Sequence, residues 1–242
     1  MHALLVALAC VLACSSKLQR AAAGEDTAEY LKYHNVEAAA NTADAMLEGA
    51  GVTREARSGR LAVMLLYTYD ITSLHNGPCL KTSLRMYQDN LLAHTPTDLF
   101  LFVKQKHKQG IMEAPWLTNT SNLHVIELDE SDSRSWKMPT FIRPESAWSQ
   151  GFSPEYRLMG QWRLAFSFPF ARELGYKYML QADTDTYVVE PIGYNLVVFL
   201  KLKDIWMTNR NTWFWEIYDF YKGLPELANF WLFTRVPTDG AI

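Results

Sequence analysis

Two acidic residues, Asp183 and Asp185, come directly after an apolar and aromatic run that is typical of a strand. Carboxylates two residues apart at a strand end can both reach one hard divalent cation through their oxygen atoms. Such a cation can bridge two phosphates and stabilise the negative charge on a leaving diphosphate. Because Asp is also common in turns, a solvated hairpin turn at 183–185, followed by a second β-rich run up to Glu190, is the alternative interpretation.

The chain that leads to this acidic pair alternates between strand and helix patterns. Continuous apolar runs at 61–69, 99–103 and 123–128 predict strands that are buried on both faces. Strands that alternate with helices indicate an α/β fold with a mostly parallel central sheet flanked by helices. Between the first two runs, apolar residues recur at helical spacing and predict a helix; they are Leu80, Leu84, Tyr87 and Leu91.

A further helix and strand lead directly to the acidic pair. Residues 153–155 form a favourable helix start, since Ser can cap, Pro suits the first turn, and Glu complements the positive end of the helix dipole. Gly175 is a typical helix stop, and the run at 176–182 predicts the strand. In open α/β sheets, ligands bind beyond the carboxyl ends of the strands, so the acidic pair is expected to face a ligand.

The composition favours one globular domain and excludes some partners. The 242 residues are 49% hydrophobic, which is enough to build a core of ordinary density. The net charge of −3, with no long Lys/Arg run, argues against nonspecific binding to nucleic acid or to an anionic membrane. The eight Trp residues would suit a carbohydrate site, but aromatic side chains also serve in cores.

The N-terminus predicts a secretory leader. An apolar run at 3–14 precedes small residues at 21–23, which is typical of a signal peptide with its cleavage site. Residues 1–23 are therefore predicted to be a signal peptide or a short signal anchor, with a buried N-terminal helix as the alternative. After removal of the leader, only Cys79 remains, so no internal disulfide is available; Asn119 begins one glycosylation sequon.

The residues after the leader have a different character from the rest of the chain. They are rich in Ala, Glu and Thr and contain few large apolar side chains. Residues 24–57 are therefore predicted to be a stem or linker, partly disordered, with a short helix around 36–47. The folded domain is predicted to span residues 58–242.

Four short motifs follow one another in a fixed order along the second half of the chain. They are YRLM at 156–159, GYKY at 175–178, DTD at 183–185 and IGY at 192–194. Their order and spacing resemble those of the fungal-type α-1,2-mannosyltransferases of the Golgi. The resemblance covers about residues 58–230, and its specific part is 156–194.

The resemblance implies a GT-A fold, which is the Rossmann-like fold of nucleotide-diphospho-sugar transferases. It implies transfer of a hexose from GDP-mannose, with retention of the anomeric configuration, to a glycan or glycoprotein acceptor. The implied location is the lumen of the Golgi, with possible membrane attachment through the N-terminal segment. The implied cofactor is Mn²⁺ or another divalent cation, held by Asp183 and Asp185.

The donor nucleotide-sugar would lie against residues from two parts of the chain. The resemblance implies that Tyr156 and Arg157 face the donor from their helix, together with Asp183. Tyr67 or Tyr69, at the end of the first strand, could stack on the nucleotide base. Packing is the alternative role for these tyrosines, and a surface position is the alternative for Arg157.

The chain departs from the family pattern at three places. The family's Glu-Pro-Asp is Asp-Thr-Asp at 183–185, which keeps both carboxylates. An Arg of the family's helix falls on Gln161, and Arg163 lies about 200° further round a helix, so it does not simply replace that residue. The first strand ends in YTYD at 67–70 rather than in Ala-Arg-Asn. Donors other than GDP-mannose therefore stay open.

The family's acceptor-side segment is not matched before Ile242. The KGLPE motif at 222–226 resembles the family's Lys-Asn-Pro-Glu region, but the glutamate nucleophile and the metal-ligating histidine that follow it in the family have no counterpart. The resemblance predicts that this chain is incomplete at its C-terminus or has diverged there. Glu216 and Glu226 are late carboxylates that could approach an acceptor, and no catalytic residue is predicted.

Two other classes of protein stay open. One is a secretory binding module, or an inactive relative that has kept the fold and lost the chemistry. The other is a metal-dependent phosphoester hydrolase that uses the same two aspartates. That class normally needs more ligands, often His and Asp at several strand ends.

Overall fold

The computed structural model describes residues 35–117, 120–131, 136–137 and 154–205, and nearly all of them belong to one compact unit, His34–Lys203. In chain order the elements are α1 (Asn35–Gly49), α2 (Arg54–Arg57), β1 (Leu61–Tyr67), α3 (Asn76–Tyr87), β2 (Thr97–Val103), α4 (Gln105–Met112), β3 (Leu123–Glu127), α5 (Pro154–Ala165), α6 (Ser167–Glu173), β4 (Tyr178–Ala182) and α7 (Leu196–Leu202). A π-helical turn, Gln88–Leu92, continues α3.

Four parallel strands form the sheet in the order β3-β2-β1-β4. β1 lies inside the sheet, between β2 and β4, and pairs with both. Helices cover both faces of the sheet, which is why the strands read as continuous apolar runs. The prediction of an α/β fold with a parallel sheet flanked by helices is confirmed, and this arrangement is compatible with a Rossmann-like fold.

Alternate side chains of the strands point into two separate cores. On one face, Phe102 of β2 contacts Trp162 of α5 and Phe170 of α6, with ring centroids 5.0 Å apart in both pairs. The edge-to-face geometry of these rings adds to the stabilisation that comes from burial alone. On the other face, the predicted helix is confirmed, and its large buried apolar side chains are Leu80, Leu84, Tyr87 and, in the π-helical turn, Leu91.

Helix α1 belongs to the folded unit, although its residues fall within the predicted linker. Ala40, Ala43 and Leu47 form a buried face, and the helix packs against α6 and β3. Small Ala side chains allow a helix to approach its neighbours closely, so this burial needs few large apolar residues. The short helix predicted around 36–47 is confirmed as α1, and the structure places it against the sheet.

A fully buried arginine ties the N-terminal helices to the chain segment that precedes β4. The guanidinium of Arg57 forms an ion pair with Asp44 of α1 and donates to the main-chain oxygen atoms of Val52, at 3.1 and 3.3 Å, and Leu174, at 3.2 Å. The next residue, Gly175, has a φ of 88°, a left-handed conformation that favours glycine. It lies directly after the end of α6, as the sequence predicted for a helix stop.

A buried carboxylate, Asp98, organises the amino-terminal edge of the sheet. It accepts two hydrogen bonds from Arg60, at 2.6 and 2.7 Å, and one from the hydroxyl of Tyr176 at 2.7 Å. The Nε2 atom of His124 on β3 lies 3.9 Å from Asp98 Oδ1, which is an electrostatic contact rather than a hydrogen bond. Burial by itself would raise the pKa of Asp98, but these neighbours outweigh it and lower the pKa to about 2.

This buried carboxylate gives the fold a defined response to acid. An Asp in an unfolded chain has a pKa of about 3.9, so Asp98 stabilises the folded state fully only above that pH. We expect a loss of about 2.5 kcal/mol in the free energy of unfolding as the pH falls from about 5 to about 1. Urea titrations across this range measure the loss, which should largely disappear in Asp98→Asn; an equal acid response in that variant would contradict the assignment.

The chain around β4 differs from the prediction in two details. β4 begins at Tyr178, two residues after the predicted start, and ends at Ala182 as predicted. The β-rich run that follows, up to Glu190, forms no strand, because side chains of α3 and its π-helical turn bind its main chain in place of a neighbouring strand. Within the described ranges, no helix has the length and apolar character needed to cross a membrane.

Several predictions concern residues outside the described ranges. They are the leader at 1–23, the start of the linker at 24–34, Asn119 of the sequon, the side chain of Arg157, and the late carboxylates Glu216 and Glu226.

Candidate functional site at the carboxyl edge of the sheet

The acidic pair directly follows β4, at the topological switch point of the sheet. From β1 the chain moves to β2 and β3 on one side, and it then returns to β4 on the other side of β1. In a sheet of this kind, a crevice forms where the connections diverge, beyond the carboxyl ends of the two strands. Leu65 of β1 pairs with Ala182 of β4, so Tyr67 and Asp183 both follow at this edge.

A turn begins at Asp183 and presents the second carboxylate to solvent. The main-chain oxygen of Asp183 accepts a hydrogen bond from the amide of Thr186 at 3.0 Å. The turn is fixed to α3, because the hydroxyl of Ser83 donates to the main-chain oxygen of Thr186 at 2.8 Å. A turn is therefore present at this motif, but it is not a hairpin turn, because no strand follows it in the described structure.

The π-helical turn after α3 holds the chain that leads away from the acidic pair. The side chain of Asn90 donates to the main-chain oxygen of Val188, and its own main-chain oxygen accepts from the amide of Ile192 at 2.8 Å. These contacts hold the chain at residues 188 and 192, on either side of residue 190. The acidic turn is thus attached to the fold through both α3 and the strand that precedes it.

Asp183 is held by an arginine from the helix that precedes β4. Arg163 of α5 forms an ion pair with its carboxylate, and the Asp183 side chain keeps 39% of its exposure. The helix is itself anchored to β4, because Gln181 donates to the main-chain oxygen of Arg163 at 2.6 Å. That oxygen also accepts a hydrogen bond from Ser167 at 2.8 Å. The position of this arginine relative to β4 is therefore fixed by the main chain.

Asp185 lies exposed on the turn. Among the residues that the structure describes, its carboxylate has no hydrogen bond and no ion pair. A hydrogen bond to the Cys79 thiol, and to a smaller extent the charge of Asp185, raise the pKa of the neighbouring Tyr187. The two carboxylates thus differ: one is neutralised by a guanidinium and the other is available to a cation.

The two tyrosines at the end of β1 have different environments. Tyr67 is fully buried and donates to the main-chain oxygen of Asp70 at 3.0 Å; burial, with the charge of Asp70, raises its pKa to about 12. Tyr69 is 51% exposed, and its ring meets that of Tyr67 edge to face, with centroids 5.9 Å apart. Of the two, Tyr69 therefore has the accessible aromatic ring, and the buried ring of Tyr67 packs against it.

A third tyrosine, Tyr87, has a fully buried hydroxyl. Its side chain is fully buried at the end of α3, and in the described part of the chain its hydroxyl has no hydrogen-bond partner. Burial raises the pKa of Tyr87, and the negative charge of Asp183 raises it further. A buried phenol without a partner is costly to the stability of the fold.

Tyr156, another predicted donor-binding residue, lies in the helix that precedes β4. Tyr156 is half-buried in the first turn of α5. That turn is anchored beside the end of β2 by an ion pair between Glu155 and Lys104, which follows β2 directly. β2 is the direct neighbour of β1 in the sheet, and the assignment of Tyr156 to the donor site stays a prediction.

The carboxylate oxygens at this edge are ligands of the kind that a hard cation prefers, although they are few. Carboxylate oxygens are the ligands that Mg²⁺ and Mn²⁺ prefer, and such ions commonly take only one or two protein carboxylates together with substrate phosphates. Within residues 35–205, as far as they are described, no group of three or more His, Cys, Asp or Glu side chains is arranged to hold a metal. A cation here would therefore need oxygen ligands from a phosphate-bearing ligand as well as from Asp183 and Asp185.

No protein-family model matches this chain, and no curated protein or solved structure matches it either. The fold and the site together define an α/β protein whose acidic, aromatic edge lies at the switch point of a parallel sheet.

One residue of this site, Arg163, could not be predicted from the sequence. Its distance of twenty positions from Asp183 gives no sign of the ion pair.

Proposed function

We propose that this chain is a nucleotide-sugar-dependent glycosyltransferase of the GT-A type, which transfers a hexose to a glycan or glycoprotein acceptor. The observation that supports it most is the position of Asp183 and Asp185 directly after β4, at the switch point beside β1. Ligands of open α/β sheets bind at such points. The resemblance to Golgi α-1,2-mannosyltransferases makes GDP-mannose the first donor to test.

The cofactor in this proposal is Mn²⁺ or a related divalent cation, with Asp185 and Asp183 as its protein ligands. When bound there, the cation would stabilise negative charge on the departing diphosphate. The exposed ring of Tyr69 offers a face on which a nucleotide base can stack, and the buried Tyr67 holds that ring in place. The sugar would then lie over the turn at 183–186, where the acceptor hydroxyl attacks.

The cellular setting forms part of the same proposal. A leader at residues 1–23 would deliver the domain to the secretory pathway, and the family resemblance points to the Golgi lumen. The acceptor would be a glycan or a glycoprotein that passes through that compartment.

Thermal unfolding with a panel of nucleotide-sugars tests the proposal. We expect GDP-mannose, or another nucleotide-sugar of the panel, to raise the melting temperature by about 5 °C at saturating concentration in the presence of Mn²⁺. The rise should be absent with Mn²⁺ alone or with EDTA. If no nucleotide-sugar stabilises the protein under any of these conditions, the proposal is wrong. Release of product from simple phosphodiesters would instead support a hydrolase.

A further inference from the structure

We propose that Tyr187 is a sugar-binding residue, whose exposed ring stacks against the apolar face of a hexose beside the acidic turn. The inference rests on the proposed function, because it assumes that a nucleotide-sugar binds at that turn. It assigns a residue to the sugar, whereas Asp183 and Asp185 would hold the diphosphate through the cation and Tyr69 would stack on the base. None of the four motifs that carry the family resemblance contains Tyr187.

The first observation is the pattern of exposure in the chain that leaves the acidic turn. Asp185, Tyr187 and Val189 are exposed, Tyr187 to 39% and Val189 to 73%. Thr186 and Val188 between them are partly buried, and Val188 packs against the core to which α3 contributes. A period of two is that of an extended chain, in which residues two apart face the same side at a spacing of roughly 6.5 Å. The side chain of Tyr187 therefore faces the same side as that of Asp185.

The second observation is that the main chain on both sides of Tyr187 is held in place. The hydroxyl of Ser83 in α3 donates to the main-chain oxygen of Thr186 at 2.8 Å. The side chain of Asn90 in the π-helical turn donates to the main-chain oxygen of Val188. Because the backbone is fixed and a tyrosine has only two side-chain torsions, ordering this ring around a ligand costs little conformational entropy.

The chemistry of the ring favours a hexose as its ligand. The faces of a hexose ring are made of C–H groups, and a flat aromatic ring can bury such a face while the sugar hydroxyl groups at the rim keep their polar contacts. A hexose attached to a diphosphate that is bound through Asp185 would lie within a few ångströms of this ring. The sugar of the donor and the sugar of the acceptor both present such a face, and the two are distinguished by experiment.

Titrations of the full chain in the presence of Mn²⁺ test this inference. The ligands are GDP, GDP-mannose, and methyl α-mannopyranoside added with GDP, and UDP and UDP-glucose form a second pair. In Tyr187→Ala we expect the affinity for the nucleotide alone to stay within about twofold of the wild type, and the affinity for one of the sugar-bearing ligands to fall about five- to tenfold. A loss with the nucleotide-sugar assigns the ring to the donor, and a loss with the methyl mannoside assigns it to the acceptor.

Two further variants serve as controls. Tyr187→Phe keeps the aromatic ring and should bind every ligand within about twofold of the wild type. Tyr194→Ala removes a tyrosine that is 51% exposed but lies at the opposite edge of the sheet, because its main-chain oxygen accepts from Thr95 at 3.4 Å, just before β2 begins. It should leave all affinities unchanged within about twofold. Since both tyrosines are exposed, we expect all three variants to melt within about 2 °C of the wild type without ligand.

The possible results separate this inference from the proposed function. If the wild type binds nucleotide with Mn²⁺ but Tyr187→Ala binds every sugar-bearing ligand as tightly as the wild type, the role of Tyr187 is wrong and the function stands. If Tyr187→Ala weakens the nucleotide alone by the same factor as the nucleotide-sugar, the ring does not hold the sugar. If Tyr187→Phe loses as much affinity as Tyr187→Ala, stacking is wrong. If the wild type binds no nucleotide and no nucleotide-sugar, both proposals fail together.

Discussion

Replacing Asp185 with asparagine is expected to weaken the Mn²⁺-dependent binding of GDP by at least about 100-fold, because loss of a direct ligand should exceed the 10- to 100-fold cost of disturbing an outer partner. The exposed carboxylate has no hydrogen bond or ion pair in the described structure, so its removal should leave the unliganded fold intact. Calorimetric titration gives the affinity, and thermal unfolding without ligand gives the stability.

The control for this variant is Glu113→Gln, which removes one negative charge from an exposed residue after α4. It should leave the affinity for GDP with Mn²⁺ within about twofold of the wild type, since exposed charges at such distances are screened by salt. An Asp185→Asn protein that binds GDP with Mn²⁺ as tightly as the wild type would remove this residue from the site. If Asp185→Asn has a lower melting temperature than the wild type without ligand, Asp185 instead has a structural role.

Replacing Asp98 with asparagine should lower the free energy of unfolding by about 3 kcal/mol, the largest effect on stability that we expect from a single conservative change. The variant leaves the guanidinium of Arg60 without its counter-charge. The Arg60 side chain is only 19% exposed, so water cannot fully compensate for this loss. Truncating one partner of a buried pair is costly because the other charge stays buried. Urea unfolding at pH 7 measures the change.

A double-mutant cycle identifies the origin of this loss. Arg60→Gln combined with Asp98→Asn should lose clearly less stability than the two single variants added together, because neither charge is then left unpaired. Asp89→Asn is the matched control: Asp89 is exposed, lies 3.4 Å from Arg85, and should cost less than about 0.5 kcal/mol. A loss at Asp98 as small as that at Asp89 would contradict the importance of the network.

The layers of the fold could be predicted from the sequence because burial on both faces leaves a simple pattern. Three continuous apolar runs became β1, β2 and β3, and the helical spacing from Leu80 to Leu91 became α3 with its π-helical turn. Helix α1 could be predicted as a helix, but its packing against the sheet could not, because its buried face is built largely from alanine. Alanine is common both in helices that pack closely and in unfolded linkers, so composition alone could not separate the two.

The acidic turn could also be located from the sequence, since a strand pattern followed by Asp-Thr-Asp identifies both the strand end and the carboxylates. What could not be predicted is the set of partners that comes from elsewhere in the chain. The pairing of Asp183 with Arg163 depends on how α5 packs beside β4. Contacts of this kind follow from tertiary packing, which leaves no local pattern in the sequence.

The most direct test of the central claim is anomalous diffraction at the manganese absorption edge from crystals grown with Mn²⁺ and GDP. The account predicts one strong anomalous peak within about 2.5 Å of a carboxylate oxygen of Asp185, with the diphosphate of GDP on its other side. Crystals that contain bound GDP but show no manganese beside Asp183 or Asp185, or that show manganese only elsewhere on the protein, would contradict it.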